Sequence, residues 1–148
     1  MPGSPNIKGS RKLTLNIIWL SNVIAIFFYY LVIRFVQTPV NTDTPQLLFP
    51  ILFLVGMVTY VIGFIIEHKF LYSIQQSPPA TPPDPVLSAK IVNQLIIVFA
   101  FTEAPTIFGF VDYLLSGNVG LFYIFSGLSL VLFLYYRSRF KEYYPYLS

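Results

Sequence analysis

Residues 91–115 read IVNQLIIVFAFTEAPTIFGFVDYLL. No period-two alternation runs through this stretch, and only Glu103 and Asp112 carry charge. At 1.5 Å rise per residue a helix of this length covers about 37 Å, enough to cross a hydrocarbon core about 30 Å thick. Backbone in lipid must satisfy its own hydrogen bonds, which leaves helices or closed barrels. A long apolar run without alternation selects the helix. Three other stretches are of the same kind: Leu13–Val36, Leu47–Ile66 and Val119–Tyr136. With the third taken as Ile91–Leu115, the chain is expected to be an all-α integral membrane four-helix bundle, one domain over residues 1–148.

Composition agrees. Hydrophobic residues make up 55% of the chain, charged residues 10%, and mean hydropathy is +0.69. A soluble domain carries about 25% charge, so this one lacks the means to cover a surface facing water. A free soluble enzyme, a disordered regulator and a nucleic-acid module are excluded on that ground. The net charge of +3 reflects cations placed at the ends of the apolar runs and does not indicate a nucleic-acid partner. There is no cysteine, so disulfides, thiolate metal sites and iron–sulfur clusters are excluded.

Lys8, Arg11 and Lys12 before the first run look like the charged start of a signal peptide. The run that follows is longer than a signal core and has no small-x-small cleavage site after it, so it reads as a retained anchor. Basic residues set the orientation. Lys8, Arg11 and Lys12, then Lys69 and Lys90, then Arg137, Arg139 and Lys141 all fall on one side. The loops near Gln37–Gln46 and Ser116–Asn118 have none, and Arg34 is placed to snorkel from one turn inside the first span. Both termini and the long loop are therefore expected to be cytoplasmic. Tyr135, Tyr136, Tyr143, Tyr144 and Tyr146 cluster where the fourth span leaves the membrane, as interfacial aromatics do.

The loop 75–85 contains Pro78, Pro79, Pro82, Pro83 and Pro85 and reads as a stiff, extended cytoplasmic spacer. Asp84 before Pro85 is an N-cap followed by proline at the first helical position. Ser116, Gly117 and Asn118 are stop signals for the same helix. Gly56 and Gly63 share one face of the second span, and Gly120 and Gly127 share one face of the fourth, with Ser126 and Ser129 nearby. Small residues let helices approach closely in lipid, where apolar burial supplies no driving force. These four glycines are expected to serve helix packing.

Glu103 lies at the middle of the third span. An acid at that depth costs about 2.5 kcal/mol or more, and protonation removes most of that cost. The carboxyl is therefore a candidate proton-binding group. Pro105 frees the carbonyl of Phe101. That carbonyl, with the hydroxyls of Thr102 and Thr106, is expected to support the protonated acid. Asp112 is half a turn out of phase with Glu103, near the outer boundary, and is expected to be solvated. Asn93 and Gln94 read as interfacial or helix-bonding groups at the inner boundary.

Around this acid the residues Lys90 to Val111, KIVNQLIIVFAFTEAPTIFGFV, resemble the second helix of the proteolipid c subunit of F-type ATP synthases. The matching positions are Ala100, Phe101, Glu103, Ala104, Thr106, Ile107, Gly109 and Val111. The preceding IQQSPP, Ile74 to Pro79, is similar in kind to that family's polar turn but lacks its arginine. The resemblance implies that Glu103 binds and releases the transported ion. Ala104 stands where sodium-binding members place a serine or threonine, which implies protons. The resemblance is confined to one helix. The second span has only Gly56 and Gly63, beside bulky Phe53, Tyr60 and Phe64, where the family has a glycine-repeat helix, and neither the second nor the fourth span has a mid-membrane acid.

The sole histidine, His68, cannot by itself form a two-histidine metal site or supply both axial ligands of a haem, and reads as an interfacial polar group. No phosphate loop, nucleophile elbow or zinc-helix motif is present, and the C-terminal residues YYPYLS carry no lipidation motif. No enzyme activity, cofactor or metal is expected. The expected role is a structural or accessory subunit of a larger membrane complex, in contact with lipid and with other membrane subunits or itself. The alternative is a c-subunit-like proton-translocating subunit. The expected location is the bacterial cytoplasmic membrane or an equivalent energy-coupling membrane.

Overall fold

The computed structural model describes residues 10–36, 47–76 and 84–147. Lys8 and most of the proline-rich spacer, residues 77–83, lie outside the described residues. Four helices follow in order: α1 Ser10–Phe35, α2 Leu48–Gln75, α3 Pro85–Ser116 and α4 Gly120–Tyr143. A single 3-10 turn, Tyr144–Tyr146, ends the described chain. All four helices are long and apolar enough to cross a membrane, and the described residues contain no strand.

Local chemistry sets the helix ends. Asp84 is extended, with φ −67° and ψ 120°, and its Oδ1 accepts the Val86 amide at 2.8 Å. Pro85 at the first helical position lacks the N–H that would otherwise go unbonded there. At the other end of α3, Gly117 adopts φ 72°, and its amide returns to the Tyr113 carbonyl at 2.8 Å. A side chain at that φ would clash with its own backbone, which is why glycine stops the helix. Asn118 Oδ1 then accepts the Gly120 amide at 2.8 Å and starts α4.

Three helices run past the ends of their apolar spans at the basic end of the bundle. α2 continues to Gln75 instead of ending near Ile66 and α4 continues to Tyr143 instead of Tyr136, while α3 begins at Pro85, as the Asp84–Pro85 cap predicts, ahead of its apolar span at Ile91. The extension forms because it has a core of its own. Leu71, Ile74, Ile91, Phe140, Tyr143 and Leu147 are all buried there. Ser88 Oγ donates to the Tyr146 carbonyl at 2.6 Å and ties the C-terminal turn to the start of α3. The five tyrosines expected at the interface differ in burial. Tyr136, Tyr143 and Tyr146 are buried, and of the five only Tyr135 is exposed, with Tyr144 between the two.

α3 and α4 form the central pair. At Gly109 the two backbones come so close that a Cβ would stand 2.6 Å from Phe122 Cα. Toward the basic end Phe99 of α3 meets Phe133, Tyr136 and Phe140 of α4, with ring centroids 5.7, 6.2 and 6.1 Å apart. α2 packs along one flank of α3, and α1 lies on the other flank against α3 and α4; α1 and α2 scarcely touch each other. The remaining side of α3 carries Ile96, Ala100, Ile107 and Val111 and is exposed.

Candidate functional site

Glu103 sits at the α1 edge of that exposed side and is half-buried. Tyr29 of α1 donates its hydroxyl to Glu103 Oε1 at 3.3 Å, beyond the usual O–H···O range. The Tyr29 ring is fixed by stacking on Phe110 one helical face along α3, centroids 5.2 Å apart. Beside the acid, between α2 and α3, Thr59, Ala100, Phe101, Ala104 and Phe108 line a shallow open groove of about 300 Å³.

Thr102, Pro105 and Thr106, expected to support the acid, are buried on other sides of α3. Thr102 Oγ1 donates to the Val98 carbonyl at 2.8 Å. Thr106 Oγ1 is 2.8 Å from Ser129 Oγ of α4. Ser129 Oγ donates in turn to the Thr102 carbonyl at 2.6 Å, and Tyr60 of α2 reaches both Ser129 Oγ and the Phe125 carbonyl at 2.8 Å. Tyr60, Thr106 and Ser129 thus form one buried polar knot joining α2, α3 and α4. No described hydrogen bond links it to Glu103. On the helical wheel Thr106 lies about 60° from Glu103, enough for α4 to claim the hydroxyl while α1 faces the carboxyl.

The packing glycines differ in their surroundings. A Cβ at Gly56 would stand 2.3 Å from the Phe125 ring, and one at Gly63 would be 3.0 Å from Phe101 Cβ. Gly120 faces its own cap, Asn118, and Gly127 faces open space. Gly109, the tightest backbone approach, was not among the sequence candidates. Its signal is its position three residues after Thr106, on the same inward side of α3.

Asp112 is not solvated. It is 2% exposed, and its Oδ2 has no hydrogen-bond partner among the described residues. It falls two helical turns after buried Pro105, so the helix carries it to the inward side. Glu67 is a second acid whose burial its charged neighbours in sequence concealed. It is 1% exposed, accepts the Tyr143 hydroxyl at 3.0 Å and pairs with Arg139 Nη1 at 3.2 Å. Arg139 also bonds Glu142 and the Tyr135 hydroxyl, and Gln75 closes the cluster on Glu142 at 3.2 Å. His68 is exposed and stacks on Phe64, centroids 6.3 Å apart. Among the described residues no group of three or more histidine, aspartate or glutamate side chains is placed to hold a metal ion.

Comparison with known protein families, with curated proteins and with solved structures finds no match for this chain.

Proposed function

We propose that the chain is a structural or accessory subunit of a larger membrane complex, docking on its partner through the outer side of α3. The reading rests on one observation: Glu103 is half-buried at the edge of that side with a single long hydrogen bond, from Tyr29. A carboxyl left so in hydrocarbon is costly, and a donor from a neighbouring helix removes the cost. The adjacent Ala100 and Ala104 let such a helix approach closely. The basic residues support a cytoplasmic side for both termini and the loop 75–85, in the bacterial cytoplasmic membrane or an equivalent energy-coupling membrane. Other membrane subunits or a second copy would supply the docking helix.

The experiment uses the absence of native cysteine. Ala100→Cys and Ala104→Cys, each crosslinked in native membranes, should trap one defined adduct, while Val131→Cys on the exposed side of α4 should not. Equal trapping at all three positions, or none at any, ends the proposal.

The second reading is proton binding by Glu103 in the manner of a c subunit, favoured by the half-open carboxyl itself. Against it, the interior hydroxyls Tyr60, Thr106 and Ser129 are turned away and offer that carboxyl no relay. Carbodiimide labelling that is selective for Glu103 and weakens as pH rises, with loss of proton flux but normal assembly in Glu103→Gln, would favour this reading over docking.

A further inference from the structure

The basic end is electrically lopsided. On the α2 side, Arg139 is neutralised by Glu67 and Glu142. Asp84 is engaged as the cap of α3. On the α1 side, Lys12, Arg137 and Lys141 have no acidic partner among the described residues. Arg137 bonds Asn16 and lies over the Trp19 and Phe140 rings, 5.2 and 5.3 Å from their centroids. Lys12 lies over the Tyr144 ring at 5.3 Å. Arg137 and Lys141 are one turn apart and exposed. Aromatic faces hold these cations in place without discharging them.

Below them, the seam between α1 and α4 opens into an apolar groove of about 340 Å³, lined by Ile26, Phe27, Phe122, Gly127 and Leu130 among others. Gly127 makes the opening, since a Cβ there would meet nothing within 4 Å. Along α4, Leu130 is about 10 Å and Gly127 about 15 Å from Arg137. One leaflet of hydrocarbon is about 15 Å deep. A headgroup at Arg137 therefore places its acyl chain against Leu130 and Gly127, at the near end of this groove.

We propose that the α1–α4 seam is a binding site for an anionic phospholipid. The headgroup phosphate sits against Lys12, Arg137 and Lys141, and one acyl chain lies in the groove beside Gly127. Charge complementarity selects this occupant over a zwitterionic lipid, and the pairing of a cationic rim with an apolar slot selects it over a free anion. The site is independent of the docking side of α3, which lies on the other side of α1.

Trp19 is the only tryptophan of the chain and stands between the cations and the groove. The full chain is reconstituted in phosphatidylcholine vesicles containing rising fractions of phosphatidylglycerol or phosphatidylcholine, each brominated on an acyl chain, and Trp19 emission is followed. Brominated phosphatidylglycerol should quench at a lower mole fraction than brominated phosphatidylcholine, with about fivefold relative affinity lost for each cation removed. Arg137→Gln and Lys141→Gln should each reduce the preference, and Lys69→Gln on α2 should retain it. Gly127→Leu, whose Cβ meets nothing within 4 Å and whose side chain would enter the groove, should weaken quenching by both lipids. Superimposable curves for the two lipids, or an equal loss of preference in Lys69→Gln, overturn the proposal. Quenching by both lipids that Gly127→Leu leaves undiminished also overturns it, because the groove then holds no chain.

Discussion

Arg139 of α4 and Glu67 of α2 form an ion pair at 3.2 Å in which the acid is 1% exposed. Tyr143 supplies a second bond to the same carboxylate at 3.0 Å. This pair lies just beyond the apolar span of α2 and lets that helix continue to Gln75. Removing one member of a buried pair strands the other charge and costs about 3 kcal/mol or more. Arg139→Leu is therefore expected to destabilise the detergent-solubilised protein by about that much. Arg139→Leu with Glu67→Leu is expected to recover most of the loss. Thermal unfolding followed by circular dichroism measures both.

The Gly109 contact gives a steric prediction. Gly109→Ala places a methyl group 2.6 Å from Phe122 Cα, against backbone that cannot rotate away. Overpacking of this kind costs about 1–3 kcal/mol. Gly127→Ala meets nothing within 4 Å and is expected to be neutral or slightly stabilising. Midpoints of the two variants should fall on opposite sides of, or at, the wild-type value.

Ser129 is the hub of the buried polar knot, and Ser129→Ala removes the bonds to Tyr60, Thr106 and the Thr102 carbonyl together. Hydrogen bonds between membrane helices contribute about 0.6 kcal/mol each on average, with a maximum near 1.7. The variant is expected to lose about 1–2 kcal/mol. Tyr60→Phe keeps the ring against Phe125 and should lose less. Unfolding midpoints at matched detergent concentration decide the order.

Tyr29 is the single described hydrogen-bond partner of Glu103. Tyr29→Phe preserves the stacking on Phe110 and removes only the hydroxyl. Carbodiimide modification of Glu103 should rise in this variant by at least about twofold, the effect of losing one bond near 0.6 kcal/mol. Unchanged labelling, read by mass spectrometry of the α3 peptide, would show that the 3.3 Å contact does not protect the carboxyl.

The helices themselves were legible because length and apolar content alone decide them, and the caps at Asp84, Gly117 and Asn118 follow from local backbone chemistry. The far ends of α2 and α4 were not, because the first charges after Ile66 and Tyr136 read as the edge of the span. Only tertiary placement shows that Glu67 meets Arg139 and that Leu71 and Ile74 bury beyond it. The same limit hid the surroundings of Glu103. Its depth could be counted along the chain, but its partner Tyr29 comes from α1, and the direction of Thr106 depends on which neighbour α3 meets on each side. Asp112 shows the converse, since proximity to a helix end suggested water while the phase set by Pro105 turned the side chain inward.

α1 has the least buried surface of the four helices and meets only one flank of the α3–α4 pair. The described hydrogen bonds that hold it to the other helices are the Trp19 indole on the Phe133 carbonyl at 2.8 Å, Asn16 with Arg137, Arg11 with the Pro85 carbonyl, Tyr29 with Glu103, and the Tyr113 hydroxyl on the Ile33 and Val36 carbonyls. Regions with few buried contacts open at lower free energy than the rest of a fold. Heating should therefore melt the protein in two stages, α1 peeling away with a shift in tryptophan emission while the three-helix remainder keeps its ellipticity. A partner or lipid that clamps α1 would merge the two stages into one.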